Sequence, residues 1–197
     1  MKRVGILALQ GDFEAHGKTL ARAGAEPVFV RTPRDLGHDV GYIDGLIIPG
    51  GESTTMLKLL RAENMIEPLA EFGRTHPIFG TCAGVILLAK AVSNPAQESL
   101  GLLDLDVERN GYGRQIDSRV ATLEPSADFA RRTGERGNLE AVFIRAPIIH
   151  RVGPDGRVLA EYQGNPVLVE QGRHLAATFH PELTSDLRVH ELFLSKL

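Results

Sequence analysis

Pro77-Ile78-Phe79-Gly80-Thr81-Cys82-Ala83-Gly84-Val85-Ile86-Leu87-Leu88-Ala89-Lys90 runs from one apolar stretch through small residues into another. Pro77-Ile78-Phe79 reads as a buried strand, and Val85 to Lys90 has the composition of a packed helix. A strand that turns at once into a helix is the repeating unit of an α/β sheet. At the turn stands Cys82, the chain's only cysteine, with Gly80 and Gly84 two residues to either side. A nucleophile on a tight strand-to-helix turn needs small neighbours, because larger ones clash with the turn or block the substrate. The start of the helix offers unpaired N–H groups that favour a thiolate. Taken alone, a lone cysteine also suits a small buried packing position.

Working outward, the first half alternates strand and helix. Val4 to Leu9, Glu26 to Val30 and Gly45 to Ile48 read as strands. Phe13 to Ala23 (closed by Gly24), Thr55 to Arg61 and Ile66 to Arg74 read as helices. Such alternation implies parallel strands joined by right-handed crossovers. In the second half, Val158 to Tyr162, Pro166 to Glu170 and His174 to Phe179 are short strand-like runs. Gln163-Gly164-Asn165 and Gln171-Gly172-Arg173 between them carry turn chemistry, the pattern of antiparallel hairpins. Arg188 to Leu197 closes as an amphipathic helix. With no linker, repeat or low-complexity segment, residues 1–197 are expected to form one domain.

A thiol nucleophile needs a base. His180 ends the apolar run Leu175-Ala176-Ala177-Thr178-Phe179, and Pro181 and Glu182 follow it. In an extended segment residues i and i+2 share a face, so Glu182 is placed to orient the His180 imidazole, the carboxylate's part in a nucleophile–His–acid triad. His-Pro-Glu also occurs as an ordinary polar strand end. The other histidines (His16, His38, His76, His150, His174 and His190) lack metal-ligand spacing and read as surface or packing residues, His16 least securely because it lies near the Gln10 loop. No metal site is expected.

Leu46-Ile47-Ile48-Pro49-Gly50-Gly51-Glu52-Ser53-Thr54-Thr55 is a third strand-to-helix junction, with Ser53 or Thr54 as the expected N-cap. Adjacent glycines let a backbone N–H approach a ligand closely, as an oxyanion hole requires. A plain turn is the alternative. The Gln10-Gly11-Asp12 turn lacks a Gly-x-Gly-x-x-Gly fingerprint, and no Walker loop appears.

The chain has 197 residues, 43% hydrophobic and 24% charged, with a net charge of −3. A core of that size is ample for one domain. Mild acidity argues against nucleic acid; the densest basic patch, Arg131-Arg132 near Arg136, reads as a solvated loop. One cysteine excludes an intrachain disulfide framework and fits a reducing compartment. The N-terminal apolar stretch is too short for a signal peptide, and no run approaches the length of a membrane helix. A cytoplasmic protein with no membrane contact is expected.

Together the Cys82, His180 and Gly50-Gly51 segments resemble class I, triad-type glutamine amidotransferases. Leu9-Gln10-Gly11-Asp12, Pro49-Gly50-Gly51-Glu52-Ser53-Thr54-Thr55, Gly80-Thr81-Cys82-Ala83-Gly84, Val107-Glu108-Arg109-Asn110, Gly113-Arg114-Gln115, Phe143-Ile144-Arg145-Ala146-Pro147 and Phe179-His180-Pro181-Glu182-Leu183-Thr184 are similar to the glutaminase subunits of pyridoxal 5′-phosphate synthases, in that family's order. The resemblance implies a flavodoxin-like three-layer fold, with a mainly parallel sheet and antiparallel additions in the second half. It implies Cys82, His180 and Glu182 as catalytic residues, and the N–H groups of Gly51 and Ala83 as the oxyanion hole. Gly51, Glu52, Ser53, Arg109, Ile144 and Arg145 would bind L-glutamine, with Arg109 gripping its α-carboxylate; Arg145 either contributes its charge or serves structurally, its backbone meeting the ligand. The implied partner is a separate synthase subunit, in a hetero-oligomeric complex, that makes pyridoxal 5′-phosphate from ribose 5-phosphate and glyceraldehyde 3-phosphate; this chain itself would need no cofactor. Two alternatives stand beside it: a triad glutaminase serving another acceptor, such as histidine or cobyric acid biosynthesis, and a non-catalytic regulatory protein on the same fold.

Overall fold

The computed structural model describes residues 1–37, 42–110 and 118–197. His38, Gly111-Tyr112 and the Gly113-Arg114-Gln115 motif lie outside them. In chain order the elements are β1 (Arg3–Leu7), α1 (Phe13–Arg22), β2 (Glu26–Val30), β3 (Gly45–Ile48), α2 (Ser53–Ala62), α3 (Ile66–Thr75), β4 (Ile78–Thr81), α4 (Ala83–Leu88), β5 (Ala89–Ser93) and β6 (Leu103–Glu108). Then follow β7 (Arg119–Leu123), α5 (Ala127–Thr133), β8 (Leu139–Phe143), β9 (Ile148–Val152), β10 (Gly156–Tyr162), β11 (Asn165–Gln171), β12 (His174–Ala177) and α6 (Arg188–Leu194).

The central sheet has the order β10-β11-β12-β4-β3-β1-β2. From β2 to β12 every pairing is parallel, and β10 and β11 add to that edge antiparallel. This is the doubly wound arrangement, with the antiparallel hairpins where their turn residues place them.

Side chains on each strand alternate between two cores. Val4, Ile6, Ile47, Phe79, Leu175 and Ala177 face one side, where they pack with Leu20 of α1, Phe129 of α5 and Val189, Leu192 and Phe193 of α6. Leu7, Leu46, Ile48, Ile78 and Ala176 face the other, against Met56, Leu57 and Leu60 of α2, Leu69 and Phe72 of α3, and Val85 to Leu88 of α4. Three layers result.

Several expectations are corrected. The helix after Cys82 stops at Leu88, and Ala89-Lys90 begin β5, which pairs with β6 and lies outside the main sheet. Leu103, Leu105 and Val107 alternate with Asp104, Asp106 and Glu108, and only the first set is buried. β5, β6 and β9 form one small sheet, β7 and β8 another. Arg131 and Arg132 lie on α5, paired with Asp128 and Glu170, so the basic patch is an ion-paired helix face and not a loop. Glu52, not Ser53 or Thr54, caps α2: its carboxylate reaches the N–H groups of both Thr54 and Thr55.

α4 crosses β3 so closely that a Cβ on Gly84 would overlap the carbonyl oxygen of Ile48. That contact seats the helix, and the turn before it, against the sheet. Gly84→Ala is therefore expected to destabilise the fold by about 1–3 kcal/mol. Gly37→Ala, where the nearest atom is 3.4 Å away, is expected to stay within about 0.5 kcal/mol of wild type. Urea unfolding of both variants checks this; equal midpoints would contradict it.

Candidate active site

Cys82 sits where β4 ends and α4 begins, with φ 46° and ψ −104°. A non-glycine residue in that region carries strain of about 1–3 kcal/mol and is held there only by its surroundings. Here the Cys82 N–H donates to the Ala177 carbonyl of β12 at 2.9 Å, and the thiol lies 3.6 Å from the Ile144 carbonyl oxygen. α4 is only six residues long, so any help it gives a thiolate comes from its first N–H groups rather than from a long macrodipole.

β12 ends at Ala177, two residues earlier than the sequence pattern implied. Thr178 stays tied to Val167, and the His180 N–H donates to the Val142 carbonyl of β8. His180 then caps a 3-10 turn, Pro181–Leu183. Pro181 takes the first position of that turn, for which its fixed φ is suited. It is this turn, and not strand alternation, that returns Glu182 to the imidazole. His180 Nδ1 and Glu182 Oε1 are 2.7 Å apart, and both residues are buried.

Burial opposes a charge on His180, but its contacts with the Cys82 thiol and the Glu182 carboxylate outweigh that and push its pKa up to about 10. Burial likewise works against ionisation of Glu182, and His16 and His180 together hold it below the usual carboxylate range.

A cavity of about 370 Å³ opens over these groups, lined by Gly51, Glu52, Ser53, Cys82, Ala83, Arg109, Ile144, Arg145 and His180. The residues that the resemblance assigned to glutamine binding and the oxyanion hole, with Cys82 and His180, thus line one cavity; Glu182 lies behind His180. Gly51 has φ 152°, open only to glycine, and the Gln10 carboxamide packs against it while accepting the Glu52 N–H at 3.1 Å. Hydrogen bonds from Thr54 and Thr55 overcome the effect of burial and lower the Glu52 pKa to about 2. Arg109 donates to Thr54 Oγ1 at 2.7 Å and lies 3.6 Å from Glu52, a cation fixed at the rim. Arg145 is exposed with φ 46°.

Gln10 and Asp12 were read from the sequence only as part of a turn, and Thr54 only as a helix cap. Asp12 lies 3.9 Å from His180 Nδ1. Among the described residues, Asp12, His180 and Glu182 are the only grouping of three with the spacing of metal ligands. His180 Nδ1 and Glu182 already bind each other there, which leaves a poor donor set for a cation.

His16 and His190, read from the sequence as surface or packing residues, are fully buried beside this site: His16 Nδ1 is 3.0 Å from His190 Nε2, and His16 Nε2 is 3.1 Å from Thr81 Oγ1. His174 accepts the Ile78 N–H across the sheet. Burial lowers the pKa of all three, to about 4 for His174 and about 3 for His190. The unfolded chain therefore takes up protons first. Their contribution to stability is complete above about pH 6.5 and falls with pH below it, by up to about 1.4 kcal/mol per pH unit for each histidine. Urea midpoints are expected to drop steadily from pH 6.5 to 4.5; a flat profile across that window would contradict neutral burial.

The sequence matches the SNO glutamine amidotransferase family over residues 6–197. It is 66% identical to "Pyridoxal 5′-phosphate synthase subunit PdxT" of Solibacter usitatus, over the full length of both chains. The protein of the same name from Mycobacteroides abscessus is 50% identical, over 97% of this chain and 95% of its own. A crystal structure of a glutamine amidotransferase superposes with a TM-score of 0.86 at 43% identity, over 98% of this chain and 97% of that one. PurLQS from Thermotoga maritima shares the fold, with a TM-score of 0.70 at 18% identity and 98% coverage of both chains. The elbow cysteine, the doubly wound sheet and these full-length matches agree: the chain is a member of the SNO glutamine amidotransferase family.

Proposed function

We propose that this protein is the glutaminase subunit of a pyridoxal 5′-phosphate synthase, that residues 1–197 act as one domain, and that Cys82, His180 and Glu182 are its catalytic triad. The observation that carries this reading is the single cavity in which a strained, buried cysteine and a carboxylate-backed imidazole face a glycine turn and a fixed arginine. The contact between Cys82 and His180 favours catalysis over a purely regulatory role. The names of the similar full-length proteins favour a pyridoxal 5′-phosphate synthase over other acceptors.

In the proposed mechanism the Cys82 thiolate, paired with protonated His180, attacks the side-chain amide carbon of L-glutamine. The oxyanion is met by the N–H groups of Gly51 and Ala83, the latter free because it opens α4. His180 passes its proton to the amide nitrogen, the C–N bond breaks, and ammonia leaves a γ-glutamyl thioester on Cys82. His180 then takes a proton from water as the water attacks the thioester, and glutamate is released with the thiol restored. Arg109 holds the α-carboxylate, while Glu52, Ser53, Ile144 and Arg145 border the substrate. Ammonia passes to the docked synthase subunit, which joins it to ribose 5-phosphate and glyceraldehyde 3-phosphate. Neither metal nor cofactor is required by these steps, and the work is cytoplasmic.

Gln10 holds the Gly51-Glu52 turn in the free chain. One misdirected oxyanion donor costs about 10²–10³ in turnover, so docking that turns the Gly51 N–H into the cavity raises kcat more than it lowers KM.

The test is to supply amide-¹⁵N glutamine to this chain mixed with the synthase subunit. Label is expected in pyridoxal 5′-phosphate with wild type; with Cys82→Ala no product is expected from glutamine, and added unlabelled ammonium salt is expected to restore unlabelled product. His180→Asn is expected to fall by about 10²–10⁴ and Glu182→Gln by less, since the imidazole remains. Unlabelled product with wild type, or full activity in Cys82→Ala, would contradict the proposal.

A further inference from the structure

Glu182 Oε1 is taken by His180, but Oε2, equally buried, has no hydrogen-bond partner. A buried carboxylate oxygen needs a donor, because desolvation without one costs more than most folds tolerate. His16 Nε2 stands 3.4 Å away, with both side chains wholly excluded from solvent. On the proposed function as premise, we propose that His16 is a positioning residue for catalysis: backed by His190, it donates its Nε2–H to Glu182 and so holds the carboxylate that orients His180.

The contacts dictate where the protons lie. An ionised carboxylate only accepts, so His16 must carry its proton on Nε2, shared between Glu182 Oε2 and Thr81 Oγ1. Its Nδ1 is then an acceptor, and His190 Nε2, 3.0 Å away, must be the donor. This leaves His190 Nδ1 as a bare acceptor, and that atom has no partner. An orphaned acceptor is tolerated more readily than an orphaned N–H, so the pattern is self-consistent in one direction only. Burial keeps both rings neutral, as the chain of donors requires.

The relay joins elements that the triad alone does not. His16 comes from α1, His190 from α6, Thr81 is the last residue of β4 directly before Cys82, and Glu182 lies on the turn after β12. His16 therefore links the acid to the strand that carries the nucleophile, and touches neither substrate cavity nor reacting atom.

The experiment compares His16→Leu, which fills the space without a donor, and His16→Gln, which keeps an amide N–H near the Nε2 position, in the presence of the synthase subunit. His16→Leu is expected to lose about ten- to a hundredfold in kcat with KM changed less than about twofold, the loss expected for one hydrogen bond to a charged group. His16→Gln is expected to recover most of it. A folded His16→Leu with wild-type kcat, or equal losses in both variants, would overturn the inference. Imidazole ¹⁵N spectra of wild type keep the test open if His16→Leu does not fold: both His16 and His190 are expected neutral with the proton on Nε2. A cationic His16, or one protonated on Nδ1, would overturn it. Wild-type protein that hydrolyses no glutamine would overturn the glutaminase reading instead, and the spectra would still decide whether His16 donates to Glu182.

Discussion

The contact on which the rest depends is the buried hydrogen bond between His180 Nδ1 and Glu182 Oε1. A carboxylate in an apolar interior is tolerated only with partners, and an imidazole beside it takes up and keeps a proton that burial alone would strip away. That proton gives Cys82 a cation to pair with. The surrounding architecture holds these three groups together: β12 is parallel to β4, so His180 and Cys82 leave neighbouring strands at the same edge, and the Cys82 N–H is bonded to the last residue of β12.

The doubly wound sheet explains why the cavity-lining groups meet there. Gly50-Gly51, Cys82 and His180 follow the carboxyl ends of β3, β4 and β12, and the Gln10 turn follows β1. In open α/β sheets the crevice beyond those ends is where ligands bind. The contact is tight: a Cβ on Gly50 would collide with the His180 ring, so only a residue without a side chain packs against that imidazole.

Much of this was legible in the sequence because it is local. β2 and β3 match their expected bounds, and the small residues around Cys82 announced the elbow. What stayed hidden depends on partners distant in the chain. Ala89 to Ser93 continues a helical composition and becomes strand only because β6 is there to pair with it. The alternation of Leu103 to Glu108 was readable, yet its partner β9 begins at Ile148. α5 carried a start signal in Ser126 and a stop in Gly134, masked by a segment rich in charge. Glu52 surpassed the expected Ser and Thr caps because its longer side chain reaches two N–H groups at once. His16 and His190, 174 positions apart, meet only when α1 and α6 pack on the same face of the sheet. No local pattern marks a histidine that will be buried against another.

The most direct measurement is mass analysis of peptides from wild-type protein mixed with the synthase subunit and glutamine, then quenched in acid during turnover. A γ-glutamyl group on the Cys82 peptide, absent when glutamine is omitted, is the expected result. Glutamate accumulating with Cys82 unmodified and the adduct on another residue would contradict a thiol nucleophile at this elbow.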